Sequence, residues 1–436
     1  MTQAFEAAVV SDLDDSFDEL INEFPDHLIG APDDPYLDPA FSRDPFSILS
    51  ALRDSAGGVV RRGDDGTYSG VEIFNVWGHD LSYPHFVALS HEAVKAIGLD
   101  RQVFENDQAY GVHQAVQGRT VNTKDGQEHF AMRRLLDTSF FGRGKMAEFQ
   151  TAMTDPLVDY LVERLANKIK KDGAGEICRD IALPVTYKSI STIIGVPQSK
   201  FSYFVELGEI AQGGPRDPEA AMKAIAELDE YFKEEIKQRE LDPSFDMLSV
   251  LPSAEYKGYQ MSAEEIVQHC RFLLPGGIET TWRQTANTVM SLLLHPEQYS
   301  AVVADAELVD QAVEEALRWM PSGFVVPRRA AKDCVVAGTE IPEGSFINSI
   351  QGVANRDPVV WSNPDEFNIF REPHEHLTFH TGVHFCMGQN LARNTIRAVV
   401  RQLAEKIPTL KLACKSDAIE TRGFGVRCPN AVPVTA

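Results

Sequence analysis

The chain has 436 residues, 43% hydrophobic and 24% charged, enough for a sizeable buried core. With 41 Lys and Arg against 64 Asp and Glu, the formal net charge is −23. That balance excludes nucleic acid and anionic membrane as partners over most of the surface.

Residues 1–35 are acidic and interrupted by proline, which predicts a loosely ordered lead-in ahead of one large domain over 36–436. The opening residues lack the positive flank of an export signal. No apolar run approaches the ~18 residues that span a bilayer. Six cysteines without a CxxC pair or compact framework suit a reducing cytoplasm. Short β-type runs fall at Val71–Trp77 and His85–Ala88, and again at Cys334–Val336 and Phe346–Ile350, each bounded by Gly, Pro or Asp. Between residues 129 and 320 the apolar periodicity is helical nearly throughout. The expected fold is mainly α, with a smaller β region drawn from both ends of the chain.

Three helical stretches carry chemistry. His129 and Arg133 stand four apart and share a face, an arrangement that suits two carboxylates at once. Ser262 and Glu265 form a capping-box signature, and His295-Pro296 is the next stop. A continuous helix between them would run ~50 Å at about 1.5 Å per residue. Its middle, Leu273-Leu-Pro-Gly-Gly-Ile-Glu-Thr-Thr281, combines Pro275, Gly276 and Gly277 with an acid and an alcohol, and predicts a functional kink. Glu315 and Arg318 lie three apart on an amphipathic helix, where an ordinary surface pair would explain them taken alone.

The segment Phe379-His-Thr-Gly-Val-His-Phe-Cys-Met-Gly388 precedes a clean helical pattern. Cys386 is thereby placed at a helix N-terminus, where unpaired N–H groups favour an anion and depress a thiol pKa. Gly382 and Gly388 permit a close approach of backbone to a flat group.

The Phe-x-x-Gly-x-His-x-Cys-x-Gly spacing resembles the haem-binding loop of cytochromes P450, and further matches extend the resemblance over about residues 40–430. It implies the cytochrome P450 fold, a single large domain enclosing haem b (iron protoporphyrin IX), with Cys386 as the thiolate ligand of iron and Phe379 beside it. It implies His129, Arg133, Arg328 and His384 as the haem-carboxylate set, and Glu315–Arg318 as a buried structural ion pair. Gly276 and Gly277 would leave room for O2, and Glu279 and Thr280 would manage protons during its cleavage. Val325 and Val326, with Phe324 and Phe424, would line an apolar substrate pocket roofed by residues around Ala109–Gln117 and Ala211–Pro218. Arg134, Arg393 and Arg397, with Arg143, Lys145 and Arg401 nearby, would form a basic island that docks an acidic ferredoxin. Three positions depart from the family pattern. His380 stands where Gly is usual, Pro275 where Ala is commoner, and Glu366 near the place of a second structural Arg, which leaves Arg371 or a His to close that network. The implied activity is monooxygenation of an apolar small molecule by a cytoplasmic, monomeric enzyme. A peroxygenase commonly lacks the acid–alcohol pair, and a haem-binding sensor has no use for it.

Overall fold

The computed structural model describes residues 13, 15–24, 29, 38–111, 118–212 and 217–436. Within the acidic lead-in, Asp15–Glu23 forms helix α1. Phe17 and Ile21, one turn apart, are fully buried, and Phe24 follows them into the core. This part of the lead-in packs on the body; most of the remaining residues up to 35 lie outside those described.

The principal elements then follow as α2 (Pro45–Ala56), β1 (Val59–Arg61), β2 (His85–Ala88), α3 (His91–Leu99), β3 (Phe104–Glu105) and α4 (Gly126–Leu136). Next come α5 (Asp155–Asp172), α6 (Leu183–Ile194), α7 (Pro218–Leu241), α8 (Ala263–Leu294) and α9 (Leu308–Trp319). The chain closes with β4 (Val325–Ala330), β5 (Phe346–Ile350) and α10 (Gln389–Lys406). The largest sheet has the order β1-β2-β5-β4-β3, with β2 and β5 parallel and the other pairs antiparallel. Both ends of the chain supply it, as expected. Cys334–Val336 pairs with Thr339–Ile341 in a separate hairpin.

One expected strand does not form. Val71–Trp77 makes only an isolated bridge between Tyr68 and Val71, and Gly70 and Gly78 turn the chain at φ 86° and 62°. Its apolar residues Val71, Ile73, Phe74 and Val76 pack in or on the core from irregular backbone, so the β-type composition there reflects burial without pairing.

Helix α8 runs unbroken through Pro275, 32 residues or about 48 Å. Its capping box is formed, since Ser262 Oγ accepts from Glu265 N while the Glu265 carboxylate accepts from Ser262 N. It packs against α6, α7, α9 and α10 and is buried along most of its length.

Behind this helix, Arg318 Nε and Nη2 donate to the two Glu315 oxygens at 2.7 and 2.8 Å, and both side chains are at most 5% exposed. Arg371 closes the network at 3.4 Å from Glu315, and the Asn368 N–H donates to the same oxygen at 2.8 Å. Arg318 also donates to the carbonyls of Asn355, Pro364 and Glu366. Glu366 therefore joins the network through its backbone. Asn355 in turn accepts from Leu377 N and donates to Thr378 Oγ1, immediately before the cysteine segment. Removing one member of such a pair strands a buried charge. Arg318→Met should cost about 3–5 kcal/mol, read as a lower urea midpoint. A loss under about 1 kcal/mol would mean that Arg371 and the Asn368 N–H neutralise Glu315 unaided.

Candidate active site

Cys386 lies just ahead of α10, with its N–H donating to Phe379 O at 2.8 Å. Of the six free cysteines it is the exposed one; its surface faces a cavity, whereas Cys178, Cys270 and Cys428 are buried. The loop is pressed onto α3. At Gly382 (φ 76°) a Cβ would lie 2.0 Å from the Gly98 carbonyl oxygen, so only glycine fits. His380 holds a left-handed backbone (φ 60°) that costs a non-glycine residue about 1 kcal/mol. Its ring nitrogens are buried and have no hydrogen-bond partner among the described residues.

The expected depression of the thiol pKa does not appear. Burial pushes the Cys386 thiol up, against the Gly388 and Gln389 N–H groups and the charges of Arg133 and Arg393, which favour the anion. The helix N-terminus offsets desolvation only in part.

The cavity measures about 340 Å³, counted by the centres of water-sized spheres. Arg133, Arg328 and His384 reach its wall, yet no Asp or Glu lines it among the described residues. Arg133 comes from α4, where Nη1 donates to Phe385 O at 2.9 Å and Nε pairs with Asp137 at 3.2 Å. Arg328 is set inward by β4 and is 2% exposed; Nη1 reaches only its neighbour's carbonyl, Pro327 O, and Tyr110 is its other polar contact. His384 Nε2 lies 2.9 Å from Asp125. His129 packs against His384, ring centroids 4.1 Å apart and tilted by 43°, and its buried Nε2 has no hydrogen-bond partner among the described residues. Burial, with His384 and Arg133 adding repulsion, pushes His129 down to about 3. Burial lowers His384 as well, so the charge on this wall comes from Arg133 and Arg328. Two arginines and two imidazoles with no carboxylate on the wall, beside one sulfur and apolar surface, fit a flat apolar cofactor that carries acid groups and a metal.

Above the sulfur, α8 presents Gly276, Gly277, Thr280 and Thr281 to the cavity. Gly277 has a packing reason for lacking a side chain: a Cβ would stand 2.6 Å from Ile190 on α6. Thr280 Oγ1 donates to Gly276 O at 2.9 Å, and Ser322 Oγ donates to Thr280 O at 2.8 Å. Glu279 does not reach the cavity. It is 9% exposed and ion-paired with Arg283, whose Nε donates to it at 3.0 Å. The Glu-x-x-x-Arg spacing on one helix face was the signal for this pair.

Two groups of expected residues lie elsewhere. Val325 and Val326 line the cavity with Phe379, but Phe324 and Phe424 do not. They meet Phe46 and Phe41 edge-to-face in the core, at 5.1 and 5.0 Å, and Gly352 leaves room for the Phe324 ring. Gly323, Gly425 and Val426 take the wall positions beside them. Tyr110, within the expected roof, adds aromatic surface, as do Trp77 and Phe272, which carry no local sequence signal for the cavity. Of the expected roof, 112–117 and 213–216 lie outside the described residues.

The basic island is also reduced. Arg393 pairs with Glu314 at 2.7 Å and Arg397 with Asp310 at 2.9 Å, because α9 lays its acids along α10. Arg134, Arg143 and Arg401 remain exposed.

The fold and this site define a class: a mostly helical chain that encloses a cationic, apolar cavity over a single cysteine sulfur. A family model described as Cytochrome P450 matches residues 215–406. The chain is 30% identical over 374 residues to the Biotin biosynthesis cytochrome P450 of Bacillus subtilis, covering 82% of this chain and 92% of the relative. It is 31% identical over 318 residues to the Steroid C26-monooxygenase of Mycolicibacterium smegmatis, covering 71% and 77%. Among solved structures, P450BioI in complex with hexadec-9Z-enoic acid ligated acyl carrier protein matches with a TM-score of 0.77 at 28% identity, covering 92% of this chain and all of that one. The chain belongs to the cytochrome P450 family and is a P450 monooxygenase, an oxidoreductase that works with haem iron. Among the described residues no helix is long and apolar enough to cross a membrane.

The pairing of α9 with α10 has a pH signature. Burial would raise the Glu314 carboxyl, but His376 and Arg393 outweigh it and hold it at about 2. A carboxyl lowered in the folded state stabilises fully above its unfolded value and loses that contribution as pH falls through the folded one. Glu314→Gln should therefore be less stable than the parent near neutrality, with the gap closing between pH 4.5 and 2 in acid-unfolding curves. A gap constant with pH would remove the carboxylate from that role.

Proposed function

We propose that this chain hydroxylates an apolar small molecule as a cytoplasmic monomer, using O2 and two electrons from a ferredoxin-type donor, with haem b held between Cys386 and α8. One observation carries the reading: a single cavity unites Cys386, Thr280, the cations Arg133 and Arg328, and the His384 imidazole. When bound, thiolate-ligated haem supplies O2 activation, the sulfur's electron donation favouring O–O cleavage.

The protein's own groups do the rest. Arg133, Arg328 and His384 hold the cofactor's carboxylates, with His129 behind them and Asp125 orienting His384. The Thr280 hydroxyl, parked on Gly276 O, is within one rotation of the cavity and is the proton donor on that side. Glu279, across the helix, exchanges protons with the far side once its pair with Arg283 opens. Phe272, Ile190, Val325, Val326 and Val426 bind apolar substrate and exclude water. An apolar substrate also agrees with relatives named for a steroid and, in a complex, for a fatty acyl chain. Electrons enter from the Cys386 side, with exposed Arg134, Arg143 and Arg401 as the docking cations.

Purified protein should be red, and its reduced carbon monoxide adduct should carry the strongly red-shifted Soret band of thiolate ligation; Cys386→Ala should abolish that band. An unaltered spectrum in the variant would end the reading. Thr280→Ala should keep haem and substrate binding yet divert most reducing equivalents to hydrogen peroxide, measured as peroxide per NAD(P)H consumed. Coupling equal to the parent would remove Thr280 from the proton path. Arg134→Glu should slow reduction by ferredoxin more at low salt than at high salt. Equal slowing at both would refute electrostatic docking there.

A further inference from the structure

Arg393 points to a task other than docking. Its Nε and Nη2 donate to the Glu314 carboxylate at 2.7 and 3.0 Å, and Nη1 donates to Gln389 Oε1 at 2.7 Å. These three bonds fix the guanidinium over the Phe379 ring, 4.4 Å from its centroid. The Phe379 carbonyl is the group that accepts the Cys386 N–H. On the other flank Arg133 repeats the motif, with its guanidinium 4.4 Å from the Phe385 ring and a bond to Phe385 O. The cysteine loop is thus bracketed by two arginine–phenylalanine stacks.

The two brackets are not equivalent. Arg133 lines the cavity, where the cofactor's carboxylates would share its charge. Arg393 does not line it, and its charge acts on the loop from behind. Its side chain is 21% exposed, so the field it casts is only partly screened.

We infer that Arg393 is a positioning residue for the Cys386 anion: pinned by Glu314 and Gln389 against Phe379, it limits how strongly the sulfur donates to iron and thereby raises the ferric/ferrous potential. The inference rests on the haem-thiolate reading above. Its sign follows from charge. Reduction by an external donor adds one electron to the site, and a fixed cation favours the more negative state. Removing that cation must lower the potential, while removing the carboxylate beside it must raise the potential, provided the cation stays in place. In Glu314→Gln the carboxamide oxygen, Gln389 and the Phe379 stack still hold it.

The test is spectroelectrochemical titration of the haem-loaded holoenzyme in four variants. Arg393→Gln should shift the ferric/ferrous equilibrium about tenfold towards ferric, about 59 mV downward for a one-electron couple. Arg393→Lys, which keeps the charge, should recover most of that shift. Arg401→Gln removes the same charge from an exposed site on the same helix and should move the potential far less. Glu314→Gln should move it upward, and this variant decides the matter should Arg393→Gln fail to fold with haem. A shift in Arg393→Gln no larger than in Arg401→Gln, or a downward shift in Glu314→Gln, overturns the inference while leaving thiolate ligation intact. Absence of the red-shifted Soret band in the parent's carbon monoxide adduct overturns both.

Discussion

A sulfur anion inside an apolar cavity, as the proposed function requires, is the constraint on which the site turns. In a chain of net charge −23 the mean field opposes such an anion, and burial opposes it again. Compensation has to be local. The helix start at Gln389 contributes N–H groups, and Arg133 and Arg393 contribute full charges from either side of the loop. These contributions do not bring the thiol down to its ordinary range, and on the proposed reading a bound metal would complete the anion. A site that bound an anion strongly without metal would have less to gain from taking one up.

The same logic explains why a buried ion pair stands behind the cofactor. Glu315 and Arg318 are costly to desolvate, and an apolar pair could fill their volume more cheaply. What an apolar pair could not do is bind four backbone groups at defined positions. Arg318 gathers the carbonyls of Asn355, Pro364 and Glu366, and Glu315 takes the Asn368 N–H. Asn355 passes the constraint to Leu377 and Thr378, one residue from Phe379. The pair therefore fixes irregular chain that neither helix nor sheet can fix, and the irregular chain holds the sulfur.

Much of this was legible in the sequence because it was encoded locally. The capping box at Ser262, the stop at His295-Pro296, the strands at His85–Ala88 and Phe346–Ile350, and the loop ahead of α10 all appear where short-range signals put them. What failed depended on partners remote in sequence. Arg393 and Arg397 read as a free basic face until α9 brings Glu314 and Asp310 against them. Phe324 and Phe424 read as pocket walls until Phe46, Phe41 and Gly352 supply a better place for their rings. Val71–Trp77 is rich in β-branched and aromatic residues as a strand is, but that composition reports burial and not a neighbour to bond. The loss of Glu279 from the cavity wall was different in kind, since its i,i+4 partner was present in the sequence all along.

That last case bears on how protons reach the cavity. Successive residues on an α-helix point about 100° apart, so Glu279 and Thr280 cannot face the same wall while α8 remains regular. Thr280 takes the cavity and Glu279 the pair with Arg283, buried at the helix's other side. A direct transfer between them would need the helix to open, and the residues where it opens most easily are adjacent: Pro275 gives no N–H, Gly276 and Gly277 weaken the same turn, and Ser322 already engages the Thr280 carbonyl from outside. The helix is continuous in this structure, and Pro275, Gly276 and Gly277 make this its weakest turn. Acid and alcohol are kept apart at rest by the geometry of the helix, and the sequence places its weakest turn where that separation would have to be undone.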